Sequence, residues 1–185
     1  MAHRATSSVN GVDLERLREA ITHMSRQPDL GDFRFRLRCR WSGAGGLSRA
    51  DVEGYYGQGE EHLYPRPFAL ESDQPPLLSG QEQAPNPVEH LLHALATCLT
   101  CALVLNAAAR GLRLDGVEVD VEGDLDLRGT LGVSEQVRPG LQRIQVSFRI
   151  DSPAPLEELR ELPLSSPVLD TLVSGVPVAL AVEKR

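Results

Sequence analysis

Between Leu91 and Ala109 the chain has no Asp, Glu, Lys or Arg, and Ala and Leu recur on every side of a helical wheel. The flanks punctuate that stretch as a helix. Asn86 can cap it, Pro87 suits the first helical position, and Glu89 at the third can reach back to the cap. At the far end Arg110 puts a positive charge on the last turn, and Gly111 is the glycine that helix C-termini favour. The pattern predicts one long helix, apolar all round, which is either the buried centre of a domain or a membrane span. His93, Thr97, Thr100 and Asn106 lie inside it and no Trp or Tyr marks either end, so the buried centre is expected and a membrane is not.

Elsewhere the periods are shorter. Residues 1–9 are expected to be disordered. Leu14, Leu17, Ile21 and Met24 space a helix with one wet face over Val12 to Met24, ended by Gln27-Pro28-Asp29. Phe33 to Trp41 alternates apolar and basic residues, which predicts a strand with one face buried; Cys39 shares that face as a packing thiol. The turn Ser42 to Gly46 leads to Arg49, and less defined strands fall near Val52–Tyr56 and His62–Leu70. Residues 71–86 form a proline-broken connection into the long helix. After it come strands over Val117–Leu127, with acidic residues on the exposed face, and Leu141–Ile150, separated by the loop Arg128 to Gly140. A short helix from Ser152 to Leu162, capped by Ser152, a second near Ser166-Pro167 and a last strand over Pro177–Val182 complete the order. That order is α+β rather than a βαβ series. Residues 1–30 read as an N-terminal extension with one amphipathic helix, and residues 31–185 as the main domain.

Composition narrows the function classes. A chain of 185 residues buries roughly two thirds of its unfolded surface, enough for a core. With 19 Lys and Arg against 26 Asp and Glu the net charge is −7, which argues against a nucleic-acid partner and gives a membrane no basic patch. Three cysteines are too few for a disulfide scaffold and read as reduced thiols. MAHRATSSVNGVD has no apolar core of a signal peptide, so a cytoplasmic location is expected.

Four segments in this order resemble the OsmC/Ohr family: NPVEHLLHALATC (Asn86 to Cys98), GVEVDVEGDLD (Gly116 to Asp126), RPGLQRI (Arg138 to Ile144) and SPVLDTL (Ser166 to Leu172). The resemblance covers most of the chain from Phe33 to Val182. It implies a small α+β protein whose long central helix packs on antiparallel sheet within an intertwined homodimer. It also implies a thiol peroxidase, peroxiredoxin-like in its chemistry, that acts on organic hydroperoxides or related electrophiles without a cofactor or metal. Cys98 matches the family's peroxidatic cysteine. Its thiol must ionise below the range of a free thiol, and it lies three turns inside the helix, beyond the reach of the helix dipole. A cation from elsewhere is needed. Family members take it from an arginine of the N-terminal strand and turn, where Arg49 is the best match and Arg38 and Arg40 are fallbacks.

Two positions depart from the family. Peroxidase members carry a glutamate directly after the helix-start proline; here that residue is Val88, and Glu89 stands one place on, turned about 100° around the helix. Glu89 is therefore a candidate for holding the arginine and, equally, a capping-box residue. Two-cysteine members place a resolving cysteine where this chain has Ser166, and serine cannot form a disulfide. An external thiol reductant is then one route to recovery, and a Cys98–Cys101 couple the other, although two cysteines inside one continuous helix could pair only with strain. His90 and His93 do not extend to a metal site: Cys101 lies eleven residues from His90, about 16 Å along the axis, and one ion bonds at near 2 Å. Two readings stay open. One is thiol-dependent peroxide reduction by Cys98 with Arg49. The other is a non-enzymatic protein of the same fold that binds a small apolar ligand at its dimer interface.

Overall fold

The Asn10-Gly11 pair supplies the first ordered feature. Both residues have positive φ, 52° and 77°, as a two-residue hairpin turn requires, and they join β1 (Ser8–Val9) to β2 (Val12–Asp13). A computed structural model describes residues 8–184. Of the stretch expected to be disordered, residues 1–7 lie outside those described, and Ser8 and Val9 are strand instead. The chain divides into two units, one of residues 13–91 and one of residues 8–12 with 92–184.

In the first unit, the Asp13 carboxylate accepts a hydrogen bond from Arg16 N and starts α1 (Leu14–Arg26), two residues later than the period alone placed it. A four-residue 3-10 turn follows from Pro28. Next comes an antiparallel sheet. β3 (Arg34–Phe35) and β4 (Arg38–Trp41) lie along one side of β5 (Ser48–Gly57), and β6 (Glu60–Ser72) lies along the other. The single strand expected over residues 33–41 is thus broken at Arg36–Leu37. Partners step three residues on one side, from Phe35 to Arg38, and four on β5, from Tyr55 to Asp51, so β5 carries an extra residue there. The β5–β6 register also shifts between Val52 and Gly54, where the backbones close in: a Cβ on Gly54 would sit 2.0 Å from His62 O.

The apolar face of that first strand is not buried. Phe35 is 75% and Trp41 68% exposed, and Cys39 is exposed, so its reading as a packing thiol is corrected. Alternation reports that one face is apolar; it does not supply the layer that covers it. The rings instead stack on one another, Phe33 on Phe35 and Tyr55, and Tyr55 on His62 at 4.8 Å between centroids.

The connection after β6 is organised by one buried residue. The Asp73 carboxylate accepts backbone hydrogen bonds from Gln74 at 2.8 Å, Gln81 at 3.0 Å and Gln83 at 3.2 Å. Those donors, Gln74 first and then Gln81, hold its pKa below the usual carboxylate range against the opposing effect of burial.

α2 (Pro87–Ala109) begins in the first unit and continues through the second. Its ends form as the punctuation indicates. Asn86 Oδ1 accepts from Val88 N and Glu89 N at 2.9 and 3.0 Å, and Glu89 Oε2 accepts from Asn86 N at 2.7 Å. At the other end Leu112 N donates to Ala107 O and Gly111 N, with φ 71°, donates to Ala108 O. α2 is long and apolar enough to cross a membrane by length and composition, yet Leu95, Leu99, Leu103 and Ala107 form a buried stripe down it. In the second unit Leu103 and Ala107 pack with Leu159 and Leu162, flanked by Val117, Phe148 and Ile150. Within the described chain only one side of the helix is packed: Leu91 and Leu105 are each 38% exposed and Cys101 is exposed.

β7 (Gly116–Asp124) and β8 (Arg143–Asp151) form an antiparallel pair, with Glu118 and Asp124 opposite Arg149 and Arg143 on the wet face. Residues 125–127 leave the expected strand for α3 (Leu127–Thr130), capped by Asp126. α4 (Leu156–Arg160) starts after Pro155, and Ser152 does not cap it; its hydroxyl donates to Arg113 O and accepts from Ala154 N. α5 (Pro167–Ser174) is capped by Ser166 as its sequence indicates. No strand forms over residues 177–182: Leu180 is 91% exposed, and the segment has no pairing partner among the described residues.

Candidate functional site

Cys98 is the twelfth residue of α2, about 16 Å from the helix start. It is half-buried and a free thiol, at the border between the buried stripe and the open side of the helix. Cys101, three residues on and about 60° around the helix, is exposed. Thr97 Oγ1 donates to His93 O and Thr100 Oγ1 to Ala96 O, so both hydroxyls are satisfied by their own helix and their methyls are left to the surface. An open apolar groove of about 560 Å³ runs there, walled by Thr97, Thr100 and Cys101 of α2, Val117 and Val119 of β7, and Val12 of the hairpin. Cys101, and not Cys98, lines it.

Arg49 lies on β5 with its side chain 56% exposed. Its Nη1 is 3.1 Å from Glu71 Oε1 and its Nε 3.5 Å from Asp51 Oδ1. Asp51 in turn takes Arg40 Nη1 at 2.9 Å. Glu89, the sequence-based candidate for holding the arginine, has its carboxylate on the backbone N–H of Asn86, which is the capping-box geometry. The carboxylates on Arg49 come from the sheet. Sequence spacing could not reveal them, because Glu71 meets Arg49 only once β5 and β6 are paired in register.

Ser166 is fully buried. Its Oγ accepts from Leu169 N at 3.2 Å, so the position where family members can carry a resolving thiol here serves as a helix cap. Next to it, Asn106 of α2 donates to Leu162 O and to Ser165 Oγ, each at 2.8 Å. The His90 ring meets Glu71 O at 2.8 Å. Among the described residues no group of three or more His, Cys, Asp or Glu is placed to hold a metal ion.

Comparison with known proteins agrees on the fold. The profile of the family described as OsmC-like protein matches residues 80–181. The crystal structure of an OsmC-like protein from Mycoplasma pneumoniae aligns with 77% of this chain and 89% of its own, at 19% identity and a TM-score of 0.56. A structure from Psychrobacter arcticus 273-4 aligns with 73% of this chain and 85% of its own, at 14% identity and a TM-score of 0.55. An OsmC-like hydroperoxide resistance protein from Jannaschia sp. CCS1 covers 83% of this chain and 94% of its own at 16% identity, with a TM-score of 0.41 that adds no weight. No curated protein sequence matches the chain.

Proposed function

Because the chain belongs to the OsmC-like protein family, we propose that it reduces organic hydroperoxides, or related electrophiles, through the thiol of Cys98. The observation that carries this reading is the placement of Cys98: a half-buried thiol at the family's cysteine position, beside an open apolar helix face that suits an organic rather than a fully hydrated oxidant. The Cys98 thiolate attacks the terminal peroxide oxygen. The S–O bond forms as the O–O bond breaks, the alkoxide takes a proton and leaves as the alcohol, and Cys98 becomes a sulfenic acid. With Ser166 in place of a second thiol, an external thiol condenses with the sulfenic acid and releases water. A second external thiol then cleaves that mixed disulfide and restores Cys98. Arg49 is the residue on which ionisation of Cys98 depends in this reading. The uncovered stripe of α2 supports a homodimer, in which a second copy covers it; a cytoplasmic location belongs to the same proposal.

The competing reading has its own observation. Ser166 is buried and committed to capping α5, which suits a family member that kept the fold and binds a small apolar ligand without redox chemistry. Intact-mass spectra after one equivalent of cumene hydroperoxide separate the two. The thiol reading expects the wild type to gain one oxygen and Cys98→Ser to gain none. It also expects hydroperoxide consumption in that variant to fall by about two orders of magnitude or more. A wild type that stays unmodified, or a Cys98→Ser variant that still turns over, removes it and leaves the binding protein.

A further inference from the structure

We propose that a gap in the strand pairing of the first unit's sheet is a binding site for a small zwitterion, an α-amino acid with an aliphatic side chain. The gap arises where two irregularities meet. Arg36 and Leu37 lie between β3 and β4 and pair with no residue of β5. Across from them, Val52, Glu53 and Gly54 have no partner in β3 or β4. Glu53 has none in β6 either, because the β5–β6 register shifts there. A cavity of about 400 Å³ opens at this place, within the range of small-molecule pockets. Its walls all come from residues 36–63, so the site is complete within the first unit and independent of the chemistry of Cys98.

The charges that line the cavity are not equivalent. Arg36 is paired with Glu61, and their hydrogen bond holds the Glu61 carboxyl below the usual carboxylate range. Asp51 is the direct cross-strand partner of Arg38, yet it takes Arg40 at 2.9 Å and lies 3.5 Å from Arg49. Among the described residues Arg38 is thus left with no carboxylate and Glu53 with no cation. Opposite charges line one cavity, and neither is paired. Leu37 and Leu63 line it too, 60% and 77% exposed.

Each of these groups matches one part of an α-amino acid. The Arg38 guanidinium presents a fork of N–H donors to an α-carboxylate, which only accepts. The Glu53 carboxylate accepts from the α-ammonium, and the two leucines offer apolar surface to an aliphatic side chain. A zwitterion engages both charges, whereas an anion or a cation of the same shape engages only one. Solvent screens ion pairs in so open a site, so L-leucine is expected to bind with a Kd of about 1 mM.

The test is a titration of the full-length, isotope-labelled chain with L-leucine at low salt, followed by amide NMR. Isocaproate, which lacks the ammonium, and L-leucinamide, which lacks the carboxylate, probe the two ends separately. Saturable shifts centred on Leu37, Glu53 and Leu63 are expected, with each analogue bound about fivefold more weakly or worse. Arg38→Gln should weaken L-leucine about fivefold and leave L-leucinamide unchanged. Glu53→Gln should weaken L-leucine as much and leave isocaproate unchanged. Both side chains are exposed, and the spectrum of each variant reports whether it is folded. Three results would each overturn the site: L-leucine binding that ignores both substitutions, analogues that bind as well as L-leucine, or no saturable shift up to about 20 mM, roughly twentyfold over the expected Kd. None of them bears on Cys98.

Discussion

Leu103→Ala is expected to cost about 4 kcal/mol of stability. Leu103 is fully buried on the packed side of α2, in the cluster with Ala107 of the same helix and with Leu159 and Leu162, which come from the later segment 156–165. Truncation there removes the transfer free energy of the lost methyls and leaves a cavity between elements that cannot all collapse inward; measured Leu→Ala changes at such sites run to roughly 5 kcal/mol. For a chain of this length each kcal/mol lowers the unfolding temperature by about 2–4 °C, so a fall of about 8–16 °C should appear in a thermal melt. Leu105→Ala supplies the contrast. It stands two residues away on the open side, 38% exposed, and as part of an isolated chain should cost under about 1 kcal/mol. Equal losses at the two positions would mean that the helix is packed on both sides.

Ser166→Cys is expected to change the oxidation product rather than merely its yield. In the wild type, a sulfenic acid at Cys98 has no thiol at the family's resolving position, so excess hydroperoxide should carry it on to the irreversible acids unless an external thiol intervenes. The substitution restores a sulfur at a site where backbone and burial are already set, and a thiol is tolerated as a small buried group. It also removes the hydroxyl that caps α5, at a cost of about 1 kcal/mol. After one equivalent of an organic hydroperoxide the variant should lose two hydrogens through a disulfide between Cys98 and the introduced thiol, while the wild type gains one oxygen. A wild type that also loses two hydrogens would identify Cys101 as the resolving thiol, despite the strain of pairing within one helix. A variant that gains oxygen like the wild type would put the introduced sulfur out of reach. If neither protein reacts, the peroxide reading falls.

Much of the fold is legible in the sequence, and the departures share a cause. α2 is marked by its cap, its proline and its closing glycine, which are local signals read by local hydrogen bonds. β7 and β8 are legible because alternation with charges on one face matches a sheet that is wet on that side. The same alternation misleads at residues 33–41, and the strand expected over residues 177–182 does not form. Periodicity shows which face is apolar, but burial depends on what packs against it, and pairing depends on a partner strand elsewhere. The candidate site divides in the same way. Glu89 as a cap is readable from its spacing to Asn86, whereas Glu71 and Asp51 as the partners of Arg49 depend on strand register and on an irregular β5 that no propensity marks. The Asn10-Gly11 hairpin leaves only a dipeptide as its signal, because its flanking strands are two residues long and too short to show a period.

The open stripe on α2 turns stability into a question of mass action. If a second copy covers that stripe, the folded state is a bimolecular product, and each tenfold dilution removes about 1.4 kcal/mol of its free energy per dimer. Melting temperatures taken across a hundredfold range of protein should then climb steadily with the amount in the cuvette. Over the same range, the Leu105→Ala variant should lose ground to the wild type even though its own chain barely notices the missing methyls. A melt that ignores dilution would mean that the stripe stays wet and each chain stands alone.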